Sequence, residues 1–318
     1  MSTLVVVEAR GEALPPQALE LVGAAQSLGE PTDALLVGSG VRALAPRLPV
    51  RRVLVADDQS LRPYLAEVWT PLVADAVEQS QADVVLFPHT LLSRELAPRV
   101  AFRLGTAAVT DCTALGRADG QLVLTKPIYG GNALADYAVE SRPVVATLRP
   151  RAFPAAEPGG ATPEVIDVAV PAASPRAVVV DTVQAAPSAG PTLKDARVVV
   201  SGGRGLGGPE NWNYVEELAA ALGAAVGASR AVTDAGWVPP SLQVGLTGTT
   251  VSPDLYVAVG ISGAVQHMAG CGGSRNLVAI NRDPDANIFR HARWGIVGDY
   301  KEVLPALTAR IKELKGSG

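Results

Sequence analysis

The C-terminal part of the chain carries residue types suited to gripping phosphate. Short apolar stretches end, one after another, in Ser201-Gly-Gly-Arg204-Gly, Gly227-Ala-Ser229-Arg230, Gln243-Val244-Gly245-Leu246-Thr247-Gly248, Gly260-Ile-Ser262-Gly263-Ala264-Val265-Gln266-His267, Asn281-Arg-Asp283 and Asp299-Tyr300. Glycine lets backbone N–H groups close on phosphate oxygens, and the start of a following helix favours an anion. A lone glycine-rich turn is common. A whole succession of such ends points to one extended ligand laid across several strands, beyond their carboxyl ends, where open parallel sheets bind.

The first turn is not G-x-G-x-x-G followed by an acid about 20 residues later, the pattern of nicotinamide dinucleotides. Arg204 stands where such a turn has a small residue. Arg204, Arg230 and His267 facing one ligand imply negative charge beyond the phosphates, as in a flavin held as an anion at the one-electron stage. A cation about 4 Å from such a charge is worth about 4 kcal/mol at an effective dielectric of about 20. Halved for solvent, about 2 kcal/mol is roughly 80 mV in a one-electron couple. The expected ligand is an adenine-containing dinucleotide, FAD.

The elements that must position these residues form two alternating strand–helix series. In the first, Leu4–Val7, Ala34–Val37, Val53–Ala56 and Val84–Phe87 read as buried parallel strands. A helix from about Pro16 to Leu28 places Ala18, Leu21, Val22, Ala25 and Leu28 on one face and ends at Gly29. Thr70–Val77 and Ser93–Leu104 read as further helices, with Ser93, Arg94 and Glu95 as a helix start; Pro98 is tolerable only near that start. From Val123 to Val180, short strands with turns at Gly130–Gly131 and Pro158–Gly160 suggest an antiparallel extension of the same sheet. Gln184–Pro191, rich in Pro and Ala, is the best linker candidate.

Alternation then restarts. Arg197–Val200, Ala224–Val226, Leu255–Val259, Leu277–Ile280 and Gly295–Val297 read as strands. A helix from about Asn211 to Leu222 ends at Gly223, and a closing helix from about Tyr300 to Leu314 buries Val303, Leu307, Ile311 and Leu314. The expected fold is α/β, with two doubly wound, mainly parallel-sheet (Rossmann-like) domains at residues 1–190 and 191–318.

Composition fits this plan. The chain has 318 residues, 48% apolar and 18% charged, with a formal net charge of −4. That suits two cores of about 150 residues and gives no basic face for nucleic acid. Aromatics at 4% offer no base-stacking platform. Cys112 and Cys271 are far apart, and His89, His267 and His291 are too scattered for zinc. No apolar run is long enough to span a bilayer, and the N-terminal MSTLVVVEAR carries no leader pattern. A cytoplasmic setting is expected. The ending Lys315–Gly318 reads as a disordered tail.

Four C-terminal segments, VVVSGGRGLGG, GASRAVTDAGW, LYVAVGISGAVQHMAG and AINRDPDANIF, resemble the alpha subunit of electron-transfer flavoproteins, and RELAPRVAFRLG, KPIYGGNA and ATLRPRAF extend the resemblance over the whole chain. The resemblance implies FAD in the C-terminal domain and a beta subunit completing the site. It implies an electron carrier fed by dehydrogenases, chiefly of the acyl-CoA type, and emptied by a membrane quinone oxidoreductase. By motif, Arg204 lies against the flavin, Ser229 meets the phosphates, Arg230 stabilises reduced flavin and Thr247 bonds the central ring nitrogen. Val244, Gly245 and Leu246 belong to the same loop as Thr247. The Ser262–His267 loop (with Gly263, Ala264, Val265 and Gln266) wraps the ring and ribityl chain, His267 near the pyrimidine carbonyl. Asn281 and Asp299 hold the adenosine half, with Tyr300 beside them. The family's loop usually reads GQTGK; here Leu246 and Thr249 depart from it, so the resemblance implies no contact from those two side chains.

Two other functions compete. A nicotinamide- or FAD-dependent oxidoreductase of transhydrogenase or decarboxylase type would need a substrate site in the first domain, with His89 or Lys126 moving protons. A regulatory module would bind an adenine nucleotide without colour.

Overall fold

The computed structural model describes residues 1–9, 13–131, 133–157, 159, 162–182, 191–194 and 196–316. Most of the expected linker, the turn residues Pro158 and Gly160, and the last two residues lie outside them. Contacts divide the chain into one unit of Met1–Ile128 with Leu134–Val183 and another of Tyr129–Ala133 with Gln184–Gly318.

The first unit runs β1 (Thr3–Glu8), α1 (Pro16–Gln26), β2 (Thr32–Gly38), β3 (Arg52–Asp57), α2 (Ala66–Ser80), β4 (Val84–Pro88), α3 (Leu91–Arg103), β5 (Ala108–Cys112), β6 (Ala114–Ala118), β7 (Gln121–Ile128), β8 (Ala133–Ala138), β9 (Val144–Leu148) and β10 (Glu164–Asp167). Seven strands form a parallel sheet in the order β10-β3-β2-β1-β4-β9-β5. The Val- and Leu-rich runs give β1, β2 and β4 fully buried strands, because helices cover both faces.

Two expectations need correction here. The stretch after Val123 is not an antiparallel extension of this sheet: β9 and β10 join it as parallel strands, while β6, β7 and β8 form a separate three-stranded sheet. The third helix begins at Leu91 with Thr90 as its cap, Ser93 N–H donating to Thr90 Oγ1 at 3.0 Å, so Pro98 sits in its interior. A proline there costs about 3 kcal/mol. Leu92, Leu96 and Val100, buried on the sheet, each return about 1.5–3 kcal/mol.

The second unit runs β11 (Val198–Gly202), α4 (Asn213–Leu222), β12 (Ala225–Ala228), α5 (Arg230–Asp234), β13 (Leu255–Val259), α6 (Val265–Cys271), β14 (Leu277–Asn281), β15 (Trp294–Val297) and α7 (Tyr300–Gly316). Its sheet is wholly parallel, in the order β12-β11-β13-β14-β15. The two-residue period of β13 sends Tyr256 and Ala258 into the core under α6, and Val257 and Val259 into the core under α4 and α7. α7 buries Leu304 and Thr308, but Leu314 is exposed, one turn past the core. Cys112, ending β5, and Cys271, ending α6, are free and buried.

Candidate functional site

The strand order of the second unit reverses between β11 and β13, and open sheets of this kind bind ligands at that switch point. Bare backbone meets there. Gly203 N–H donates to Val259 O at 2.8 Å and Gly205 N–H to Gly260 O at 2.9 Å. A Cβ on Gly203 would lie 2.4 Å from Gly260 O, so only glycine lets the turn fold onto β13. These two N–H groups are therefore consumed inside the protein rather than offered to phosphate, a difference from the sequence reading. The absent side chains are what keep the crevice open.

A groove of about 590 Å³ extends from this point past Arg204, Ser229 and Arg230 to the Val244–Thr247 loop, Ser262, Ala264, Gln266 and His267. A second hollow of about 290 Å³, lined by Asn281, Asp299 and Tyr300 among others, shares Gly205, Gly260 and Asn281 with it. The two make one channel along the carboxyl edge of the sheet, within the size range of small-molecule sites. Of the sixteen residues expected from the sequence, Gly263 and Val265 do not line it. Gly263, at φ +82°, backs onto Ile288, where a Cβ would lie 2.3 Å from the backbone nitrogen; Val265 faces Gly130, which belongs to the same unit.

His267 is the most constrained group in the groove. It is 7% exposed, and its Nε2 lies 3.0 Å from the hydroxyl of Tyr256, which is fully buried. Its Nδ1 is buried with no hydrogen-bond partner among the described residues. Burial pulls the imidazole down to about 4; the Val244 backbone opposes this, without reaching hydrogen-bonding geometry. Burial pushes the Tyr256 phenol well up. At neutral pH both rings are uncharged.

Beside His267, the Gln243–Thr249 loop is tied by backbone bonds: Gly248 N–H bonds to Gly245 O at 3.0 Å and Thr249 N–H to Gln243 O at 2.7 Å within the loop, and Leu246 N–H bonds to Gln266 O at 2.7 Å in α6. The Leu246 side chain is left 66% exposed. Thr233 Oγ1 lies 2.9 Å from Gln243 Oε1, and Gln243 Nε2 donates to Thr247 Oγ1 at 2.9 Å. Thr247 is thus an acceptor from Gln243, and its own hydrogen is free to donate. Arg204 is exposed with no ion pair among the described residues; Arg230 pairs with Asp234 at 3.1 Å, both exposed, a weak restraint. Ser229 precedes α5 without a side-chain capping bond.

At the other end the expected residues have structural work as well. Asn281 Nδ2 donates to Ile261 O at 3.0 Å and its Oδ1 accepts from Asp283 N–H at 3.1 Å. Asp299 accepts from Lys301 N–H at 2.9 Å at the start of α7, and Tyr300 donates to Leu206 O at 2.7 Å. Sequence reasoning missed Tyr256, hidden in an apolar strand, and Asp234, one helical turn after Arg230. It also gave no role to Gln243, whose signal was its place four residues before Thr247.

In the first unit, His89 Nδ1 sits 2.7 Å from Thr147 Oγ1, with Nε2 3.8 Å from Asp111, and Arg149 grips Asp111 at 2.9 and 2.7 Å. Lys126 donates to Thr110 at 3.4 Å. These groups are occupied by one another. No helix among the described residues is long and apolar enough to cross a membrane.

Comparison with known proteins agrees with this architecture. Residues 3–173 match the family described as electron transfer flavoprotein domain, and residues 192–272 the electron transfer flavoprotein FAD-binding domain. The electron transfer flavoprotein subunit alpha of Bacillus subtilis (strain 168) is 37% identical, covering 98% of this chain and 97% of its own length. Its counterpart from Thermoanaerobacterium thermosaccharolyticum is 39% identical, covering 98% of each. The mitochondrial subunit alpha of Arabidopsis thaliana is 39% identical over 99% of this chain and 91% of its own. With both halves matched in order and the relatives spanning nearly its full length, the chain belongs to the electron transfer flavoprotein alpha-subunit family.

Proposed function

We propose that this chain holds FAD in the groove of its second unit and carries electrons singly between other proteins, as one half of a heterodimer completed by a beta subunit. The observation that carries the reading is the continuous channel at the switch point of the parallel sheet, lined by Arg204, Ser229, Arg230, Thr247 and His267 on one side and by Asn281, Asp299 and Tyr300 on the other. When bound, FAD supplies the redox chemistry. The chain binds and orients it. Arg204 and Arg230 offset negative charge on the ring side, Ser229 meets the phosphates, and Thr247 donates a hydrogen bond to the ring. His267 lies beside the pyrimidine end of the ring, the Val244–Thr247 and Ser262–His267 loops close round the ring and ribityl chain, and Asn281, Asp299 and Tyr300 border the adenosine half.

We place the domain boundary between residues 190 and 191. Family membership supports acyl-CoA-type dehydrogenases as donors, a quinone oxidoreductase as acceptor, and a role in fatty acid beta-oxidation. The two free cysteines agree with a reducing cytoplasm.

Co-expression with the partner subunit, or reconstitution with FAD, followed by stepwise photoreduction tests this. One FAD per heterodimer, reduced in two separate one-electron stages, is expected. Direct two-electron bleaching would replace the carrier with a hydride enzyme, and a protein without visible absorbance would overturn the flavin assignment.

A further inference from the structure

Thr233, Gln243 and Thr247 make a chain of side-chain hydrogen bonds that runs from the core to the groove. Gln243 and Thr247 line the groove, and Thr233 lies behind them in α5, 7% exposed. Thr233 Oγ1 is 2.9 Å from Gln243 Oε1, and Gln243 Nε2 is 2.9 Å from Thr247 Oγ1. Thr233 Oγ1 also lies 3.0 Å from the Arg230 carbonyl oxygen. A hydroxyl has one hydrogen, so Thr233 donates either to the amide or to the carbonyl.

That choice sorts the chain into two complete arrangements. In one, Thr233 donates to Gln243 Oε1, Gln243 Nε2 donates to Thr247, and the Thr247 hydrogen is left for the groove. In the other, the amide is turned end for end. Thr233 then donates to the Arg230 carbonyl and accepts from Gln243 Nε2, while Thr247 donates to Gln243 Oε1 and leaves a lone pair for the groove. The two ends of the amide sit at equal distances from their partners, so the turn lengthens neither bond. Each arrangement pairs Thr233 and both ends of the amide, so neither carries the penalty of an unsatisfied buried polar group.

We infer that Thr233 and Gln243 are positioning residues that form a reversible relay: the Gln243 amide turns so that Thr247 donates to a bare ligand atom and accepts from the same atom once it carries hydrogen. The inference rests on the proposed flavin site for its ligand. The central ring nitrogen of FAD is such an atom, bare in the oxidised form and bearing hydrogen in the fully reduced one. Full reduction brings two electrons from the donor proteins and, to that nitrogen, a proton from water. Along the relay no net proton moves; three donors turn. A wall with a fixed donor would favour one form only, whereas the relay holds both.

Nuclear Overhauser contacts in the FAD-loaded heterodimer, deuterated except at threonine methyls and glutamine side-chain amides, read the turn directly. The Gln243 amide hydrogens should lie by the Thr247 methyl with oxidised FAD and by the Thr233 methyl after dithionite reduction. Unchanged contacts in the two states would overturn the inference without any variant. In Gln243→Met the dissociation constants for oxidised and reduced FAD should both rise about fivefold, the equivalent of about 1 kcal/mol. A rise for oxidised FAD alone would mark a fixed donor and overturn the relay. Adding Gln243→Met to Thr247→Val should cost no further affinity, because Gln243 acts through the Thr247 hydroxyl; additive losses would show that Gln243 serves only the loop and would also overturn it. A heterodimer that bound no FAD would defeat the proposed function and this inference together, whereas bound FAD with an unmoving amide defeats this inference alone.

Discussion

The two units pass through the same topological feature and use it oppositely. In the first, the sheet reverses between β1 and β4, where Glu8 ends β1. The Glu8 carboxyl is buried, accepting from Thr90 Oγ1 at 2.9 Å and from the Ser93 hydroxyl. A hollow of only about 30 Å³ is left there. In the second, the reversal lies between β11 and β13, where glycines leave a channel that includes a groove of about 590 Å³. Topology sets where a ligand could bind. The residues at the strand ends decide whether one can: an acid satisfied by a helix start fills one crevice, and missing side chains open the other.

The sharpest way to break this contrast is Gly203→Val. A side chain in that position meets the Gly260 carbonyl, and overpacking of that kind should cost about 3 kcal/mol or more and abolish FAD binding. FAD content after purification and the melting temperature check it; retained flavin would mean that the bare backbone does not keep the groove open.

Acid should act next most strongly. His267 titrates at about 4 in the fold against 6.5 when unperturbed, so between those values the unfolded chain takes up a proton that the folded one refuses. Stability is therefore full above pH 6.5, falls as pH drops toward 4 by up to about 3 kcal/mol, and then levels off. Burial lowers His89 in the first unit as well, in the same sense. Urea unfolding at pH 7 and pH 4.5, in the wild type and in His267→Asn, separates the two; an unchanged slope in the variant would assign the effect to the first unit.

Glu8→Ala should destabilise the first unit by about 2 kcal/mol, since the Thr90 and Ser93 hydroxyls lose their acceptor, with FAD content unchanged. Loss of flavin in that variant would end the division of labour. The smallest effect is expected from Leu246→Gln at the exposed lip of the groove. It should move the flavin potential by about 30 mV, near 0.7 kcal/mol in a one-electron couple, and no change would remove Leu246 as a tuning position.

The strands most legible in the sequence were those with continuous Val and Leu runs, because parallel strands buried on both faces have that texture. The misreadings lay where pairing is long-range. Nothing in Val144–Leu148 announces that it slots between β4 and β5, out of chain order. The start of α3 was placed too late because the acceptor for Ser93 is Glu8, distant in sequence. In the groove, the glycines, arginines and hydroxyls marked the positions. What their backbones and amides do did not show: Asn281 bridges two loops, and Tyr256 reads as one more apolar core residue until His267 is found beside it.

The two buried cysteines bear on chemical durability. Burial pushes both thiols up to about 12, which keeps them as thiols at neutral pH. Thiolate is the form that peroxide oxidises and that disulfides exchange with. Cys271 packs in the core that holds Tyr256, its thiol donating to His267 O at 3.5 Å, and it is held in its unreactive form. Neither cysteine thiol therefore offers oxidants a ready target.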